Sequence, residues 1–485
     1  TCIKLLNRES YYVPQNHYDY FYCFTCDFGV QQLVSLYYEL FGGRTESGVS
    51  QNFECSYSKP FTSPEADILA LQARRNYTET GMEPKVALLK VVFTDDIFRY
   101  LSNVSGGLID NLQLPPLPFP NNSIDFTQRD YIVDNSLKDR FDNYFFQTLK
   151  HCLPRDFLEN FYGYYKIFSE DIENRKFTHI VAECWISHIP DSIYVALAKE
   201  KGRKFIAYEH GSGSFFYENN NLFMAIDSAD VFLTVGWSMD HEKVMRGGFA
   251  CRDIFAYNFN QEKNTVLFIS HTNSPYWLEF NVFASNSTFV KELKLISDFI
   301  NLLPPRLKEN FVFRPRVEEY FWDTAKALEL FKNGIKVDTG DFSTSIHQSR
   351  IVIIDHISTG IAEILLSKTP FIFLNNNSAV SVSKKLITVF EELRSCGVVQ
   401  DSAQSAISHL SSIYESVEFW WESELVQNAV NKLRDIALAP ASITTDYLLS
   451  LLKGDPMKIF LHEFLRDSDG VYKNPKKQRD FVYSD

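Results

Sequence analysis

Hydrophobic and polar positions follow two regimes along the chain. From residue 177 onward, short apolar runs alternate with amphipathic segments. FTHIVAE (177–183), KFIAYE (204–209) and ADVFLTVG (229–236) have the length and composition of buried strands. Between the first two lies IPDSIYVALAKEKG (189–202), a helix with Asp191 near its start and Gly202 past its end. SMDHEKVMRGG (238–248) reads as a further helix. After a polar gap at 251–264 the alternation resumes, with strands at 265–271, 310–316, 350–356 and 370–375 and helices at 287–303, 324–334 and 358–369. Strands alternating with helices of ~10–15 residues predict βαβ units and parallel sheets. The polar gap favours two sheets over one, so the expected architecture is α/β, two Rossmann-like domains facing each other across a cleft. A mostly helical stretch follows at 379–465. The boundaries expected are 1–259, 260–400 and a helical tail at 401–485.

The first 170 residues are rich in Tyr and Phe and poor in clean periodicity. PKVALLKVVF (85–94) reads as helix or strand, LQLPPLPFPNNS (112–123) as a proline-bearing loop, and 137–153 and 157–168 as helices.

Composition narrows the function classes. A chain of 485 residues is too long for one core and can bury several, with 45% hydrophobic and 15% aromatic residues. No apolar run approaches the ~18 residues of a membrane span, and a mean hydropathy of −0.18 predicts a soluble protein. The opening TCIKLLNRES is too polar for a secretory signal, so a cytoplasmic location is expected. A net charge of −13 argues against nucleic acid as a partner and against a polybasic lipid anchor. Tyr- and Phe-rich segments keep open a peripheral contact with a membrane or an assembly partner. Of eight cysteines only Cys23 and Cys26 form a C-x-x-C pair, with no second pair at zinc-site spacing. Asp467-Ser468-Asp469 follows a C-terminal helix and reads as a solvated tail. No metal and no resident cofactor are expected.

Ligands of open parallel sheets bind beyond the carboxyl ends of the strands, which directs attention to four places. EHGSG (209–213) combines Glu209 and His210, able to exchange protons, with a turn at Gly211, Ser212 and Gly213 whose amides can meet an anion. It equally fits a structural glycine turn; a dinucleotide fingerprint is incomplete, because Phe216 occupies the third glycine position. Ser270 and His271 end the first strand after the gap, as substrate contacts or as a polar strand end. Arg314 and Arg316 leave a strand two residues apart, suited to a phosphate or to ion pairs with Glu318, Glu319 or Asp323. In DHISTGIAE (355–363) an apolar strand ends at Asp355, and Ser358, Thr359 and Gly360 open a helix, with Glu363 one turn in. A helix start with two hydroxyls serves both capping and anion binding. Glu183, ending the strand at 177–183, reads either as a further residue lining the cleft or as a buried, hydrogen-bonded carboxylate.

EHGSGSFFYE, ADVFLTVGW (229–237), FRPR (313–316) and DHISTGIAEILLSKTPFIF (355–373) together resemble bacterial surface-polysaccharide glycosyltransferases of the GT-B type. The run at 392–423 resembles a tail found in transferases of that kind, so the likeness covers about 177–425. The strand ends are further similar to the retaining β-Kdo transferases of capsule and O-antigen assembly and, more distantly, to bacterial sialyltransferases. The resemblance implies a GT-B-like fold and a CMP-activated acidic sugar (Kdo, pseudaminic acid or a related nonulosonic acid) as co-substrate, passed to a growing glycan or glycolipid. It implies Glu209 and His210 as acid/base groups and Ser358-Thr359-Gly360 as the phosphate site. Arg314-Pro315 replaces the family's His-Pro motif, and Ser270 or His271 falls where those enzymes carry a nucleophilic aspartate. These departures keep two alternatives in view: a non-catalytic GT-B-like scaffold or glycan-binding subunit, and a CDP-polyol phosphotransferase.

Overall fold

The computed structural model describes residues 84–117, 125–130, 140–184, 189–211, 213–216, 222–252, 254, 256–259, 263–271, 286–316, 324–329, 335–375 and 383–453. The chain separates into two compact units. One comprises Thr1–Leu89, Asn111–Ile180 and Ile186–Lys204, the other Lys90–Asp110, Val181–Trp185 and Phe205–Asp485.

The first sheet holds β1 (Val86–Leu89), β2 (Ile109–Asn111), β3 (His179–Glu183), β4 (Lys204–Tyr208), β5 (Val231–Leu233) and β6 (Val244–Met245), in the order β2-β1-β3-β4-β5-β6. The 85–94 segment thus resolves as a strand. Helices along this part of the chain are α1 (Asp95–Ser105), α2 (Phe126–Asp130), α3 (Arg140–Cys152), α4 (Phe161–Asn174), α5 (Ile189–Glu200), α6 (Gly213–Phe216) and α7 (Leu222–Ser228).

The second sheet holds β7 (Val266–Ser270), β8 (Phe311–Pro315), β9 (Lys336–Val337), β10 (Ile351–Ile354), β11 (Phe371–Leu374) and β12 (Val399–Gln400), in the order β12-β11-β10-β7-β8-β9. All of its pairings are parallel. Its helices are α8 (Asn286–Leu302), α9 (Pro305–Glu309), α10 (Thr324–Glu329), α11 (Phe342–Gln348), α12 (Thr359–Ser367), α13 (Ile387–Ser395) and α14 (Ala403–Ile413). Parallel strands covered on both faces need continuous apolar sequence, and β10 supplies it as IVII, every residue buried. One side packs against α8 and α14, where Phe268 meets Phe299 edge-on at 5.1 Å and Ile353 joins Ile300 and Leu410 in one cluster. Each such side chain contributes about 1.5–3 kcal/mol through burial.

The strand expected after the polar gap, those at 310–316, 350–356 and 370–375, and the helices expected at 287–303 and 358–369 form as the pattern requires; of the helix expected at 324–334, Thr324–Glu329 is helical and 330–334 lie outside the described residues. The helix expected at 238–248 does not. Phe232 and Thr234 donate backbone hydrogen bonds to the carbonyls of Lys243 and Met245, which draws the segment into the parallel ladder as β6. Gly247 and Gly248 then press so close to the carbonyl oxygens of Thr234 and Pro440 that a Cβ would stand 2.3 and 1.8 Å from them. Helical periodicity in the sequence loses to ladder pairing and tertiary packing.

The last helices, α15 (Val417–Trp421), α16 (Glu424–Ala437) and α17 (Ala441–Leu451), bring the chain back to the end of β5. Ala439 N–H donates to the Val235 carbonyl at 3.1 Å, and Phe249 N–H to the Ala439 carbonyl at 2.8 Å. Gly248 N–H donates to Thr444 Oγ1 at 2.9 Å. Among the described residues no helix is long and apolar enough to cross a membrane.

Gly236 marks the tightest point of this return. Its φ of +146° suits glycine alone, and a Cβ there would lie 2.1 Å from the Leu438 carbonyl carbon. Gly236→Ala is expected to destabilise the protein by at least about 2 kcal/mol, read as a lowered urea midpoint. An unchanged midpoint would remove this contact from the account of how the C-terminal helices are held.

Candidate functional site

The end of β4 shows how alternation sorts neighbouring residues. Glu209 still belongs to the ladder, its N–H donating to the Leu233 carbonyl at 2.9 Å. Its side chain turns inward and is 0% exposed. Oε2 accepts from Val235 N–H at 3.0 Å and from Trp237 Nε1–H at 2.7 Å. Oε1 is buried with no hydrogen-bond partner among the described residues. Burial pushes this carboxyl up to about 8, against the opposing pull of the two donors. Expected as a proton-transfer group at a cleft edge, Glu209 is placed as an internal tie between the end of β4 and the turn at 235–237.

The next residue takes the other face, as successive strand positions do. His210 is 57% exposed, and its Nδ1 pairs with Oε1 of Glu183 at the end of β3. A carboxylate on Nδ1 leaves Nε2 as the outward nitrogen of the imidazole. Gly211 follows, and its backbone runs against α12. A Cβ there would stand 2.3 Å from Thr359 Oγ1. The loop of the first sheet and the helix start of the second, both in the second compact unit, therefore meet. Gly213 opens α6; Ser212 lies outside the described residues.

In the second sheet the register Ile354↔Ile269 sets the residues after β10 level with the end of β7. Ser270, 3% exposed, donates its hydroxyl to Asp355 Oδ2 at 2.6 Å. His271 N–H reaches Asp355 Oδ1 at 3.4 Å. Oδ1 also lies 2.9 Å from His356 Nδ1, and His356 Nε2 lies 3.0 Å from Ser358 Oγ. Ser358 caps α12, its Oγ accepting from Gly360 N–H at 3.3 Å. The His271 and His356 rings sit 5.2 Å apart. Burial, then His356 and Arg316, hold the His271 imidazole well below its usual range, so it is neutral at physiological pH.

The arginines divide. Arg314 donates to Asp338 Oδ2 at 2.5 Å, to Ser345 Oγ at 3.2 Å and to the Gly340 carbonyl at 2.9 Å, with its guanidinium 5.2 Å from the centroid of the Phe342 ring. Its partner is Asp338; Glu318, Glu319 and Asp323 lie outside the described residues. Arg316, one step beyond β8, is exposed. Glu363 is 3% exposed and takes a hydrogen bond from Ser343 Oγ, and burial raises its carboxyl. The Phe342 ring closes over Gly360, its Cζ 2.8 Å from where a Cβ would be.

The structure thus gathers Glu183, His210, Gly211, Ser358, Thr359 and Gly360 at one place, and Ser270 and His271 around Asp355 behind it. Asp355, His356, Asp338 and Trp237 are organising residues that motif reading did not single out. The polar DH dipeptide ending a wholly apolar strand was the available signal for the first two. Cys23, Cys26 and Asp467-Ser468-Asp469 lie outside the described residues.

Glu209 makes a stability prediction whose sign is fixed by its shift. Its native carboxyl binds a proton more tightly than the unfolded one, so stability falls as pH rises from about 4.5 toward about 8. Glu209→Gln removes this dependence. The variant is expected to gain on the parent as pH is raised from about 5 to about 9 in urea unfolding. Parallel pH profiles for the two proteins would show that Glu209 is ionised throughout.

Residues 1–439 match the model of a family described as the LIC12162 family transferase. No curated protein matches the chain. Among solved structures the chain is similar to sucrose-phosphate synthase from Thermosynechococcus elongatus, with 11% identity, a TM-score of 0.43, and coverage of 77% of this chain and 98% of that one. It is similar to UDP-N-acetylglucosamine 2-epimerase from Rickettsia bellii, with 10% identity, a TM-score of 0.42, and coverage of 78% and 98%. A glycosyltransferase from Rickettsia africae gives 11% identity, a TM-score of 0.41, and coverage of 77% and 100%. The α/β architecture rests on the strand pairings themselves, and the family match, spanning most of the chain, carries the assignment: the protein belongs to the LIC12162 transferase family.

Proposed function

We propose that the protein is a glycosyltransferase that takes its sugar from a nucleotide donor. The observation that carries this reading is the approach of Gly211 to Thr359, which sets a carboxylate-paired imidazole one residue from the start of a buried helix. Transfer from a nucleotide sugar needs two things at one place: a group to take the acceptor's proton and a set of donors for the phosphate that leaves. His210, oriented by Glu183, supplies the first. The hydroxyls of Ser358 and Thr359 at the start of α12, with the positive end of its dipole, supply the second.

In the reaction so read, the acceptor hydroxyl attacks the anomeric carbon and its proton passes to His210 Nε2, the imidazolium resting against Glu183. The bond from the anomeric carbon to the phosphate oxygen breaks with its electron pair on oxygen, facing the helix start. Arg316 adds positive charge on that side. Glu209 touches neither reactant and acts by positioning the 209–211 loop. Direct displacement follows, with inversion. Support for CMP and an acidic sugar comes from the sequence resemblance, as does the surface-glycan acceptor.

Nucleotide binding tests the reading directly, since a ligand held only by the native state raises its stability. Thermal unfolding with CMP, UDP, GDP and CDP is expected to show the largest upward shift with CMP. A shift with UDP alone would move the donor class and keep glycosyl transfer. No shift with any nucleotide would favour a non-catalytic scaffold.

His210→Gln is expected to lower turnover by about 10²-fold or more while nucleotide stabilisation persists. Nucleotide release during a screen of CMP-Kdo, CMP-sialic acid and CMP-pseudaminic acid is the assay. Turnover near that of the parent would take the base role away from His210.

A further inference from the structure

The hydrogen-bond chain Asp355–His356–Ser358 has the form of a proton path, and it ends at the helix start assigned above to the donor phosphate. Asp355 Oδ1 faces His356 Nδ1 at 2.9 Å, which keeps a hydrogen on that nitrogen. The remaining nitrogen, Nε2, then either accepts from the Ser358 hydroxyl or, once protonated, donates to it across the same 3.0 Å. Ser270 and the His271 amide bind Asp355 from the adjacent strand and fix the carboxylate. An N-cap needs only the serine; nothing in capping calls for a carboxylate-backed imidazole behind it.

We propose that Asp355, His356 and Ser358 form a relay that delivers a proton to the phosphate of the departing nucleotide. This deepens the glycosyltransferase reading and rests on it. As the bond between anomeric carbon and phosphate oxygen breaks, the Ser358 hydroxyl gives its proton to the phosphate. His356 Nε2–H restores the hydroxyl, and the neutral imidazole keeps its Nδ1–H on Asp355. A proton from solvent recharges His356 before the next donor binds. Ser358 is the catalytic contact; His356 and Asp355 act through it as positioning residues.

Other titratable groups of the described residues lie around this pair. His271, at the end of β7, is kept neutral by burial, His356 and Arg316. Glu292, on α8, is pushed up to about 8 by burial and by Asp355, so it is largely uncharged at neutral pH. Arg316 stands beyond β8 as a fixed positive charge. Among the described residues Asp355 is the carboxylate in contact with His356, and the phosphate of the proposed relay is a second anionic group, placed at Ser358.

Proton uptake on nucleotide binding tests the relay without any turnover. CMP is titrated into the intact protein by calorimetry in buffers of different ionisation enthalpy, from about pH 6 to about pH 9. At the pH of greatest linkage the parent is expected to take up about one proton per CMP bound. His356→Gln is expected to bind CMP more weakly with uptake falling to near zero. Asp355→Asn, of nearly the same shape, shifts the linkage to lower pH and serves if the glutamine variant does not fold. CMP binding with no proton uptake, or with the same uptake in both variants, would overturn the relay and leave nucleotide transfer standing. Failure of the parent to bind CMP, UDP or inorganic phosphate would overturn both.

Discussion

The site depends on the close approach of Gly211 to the Thr359 side chain. With Thr359 Oγ1 2.3 Å and Cβ 3.3 Å from the position of a Gly211 Cβ, a side chain at residue 211 would force either Thr359 or the loop after β4 to shift. The approach is set from below as much as at the contact. Glu209, bonded to Val235 N–H and Trp237 Nε1–H, pins the end of β4 to the turn after β5, so the two residues that follow have little freedom in where they emerge. Strand alternation then does the rest, sending His210 outward because Glu209 goes inward.

Carboxylates organise both strand ends, in two different ways. Glu209 is sealed and held high in pKa, and its neutral form costs less than a buried charge even though Oε1 lacks a partner. Asp355 accepts from Ser270 and from the His271 amide and faces His356, so both of its oxygens have partners. Glu183 and Asp355 share a geometric role. Each faces the Nδ1 of an imidazole and so turns Nε2 toward the place where chemistry would occur. Two oriented imidazoles at neighbouring strand ends distinguish this arrangement from a pair of ordinary polar loops.

Much of the fold was legible in the sequence because its strands are buried on both faces. IVII, VLFIS and FIFL leave no alternative to covered parallel strands, and the polar gap before β7 separated the sheets correctly. What escaped was set by pairing at a distance. The 238–248 segment has the spacing of a helix, yet its carbonyls are taken by β5 and its glycines by residues 440–444, neither of which local pattern reveals. At the site the strand ends were legible as places, and the partners were not. Glu209 has the same parity as Phe205 and Ala207, but in a strand buried on both faces parity does not say which end residue stays inside. The Ser270–Asp355 bond joins residues 85 apart through a β7–β10 register that only the folded sheet defines. Arg314 looked like a phosphate ligand because Asp338, its partner, lies in a separate strand-end loop.

The acidic balance of the chain bears on how such a site can hold an anion. A net charge of −13 repels a nucleotide at long range, but the Debye length at physiological ionic strength is about 8 Å, so most of that field is screened before contact. At contact the local terms of the proposed site dominate: the dipole of α12 and the hydroxyls of Ser358 and Thr359. Standing cations in this chain are drawn into ion pairs with its excess carboxylates, as Arg314 is by Asp338. Hydroxyls and a helix dipole carry no net charge, so in the proposed site they are not subject to that competition.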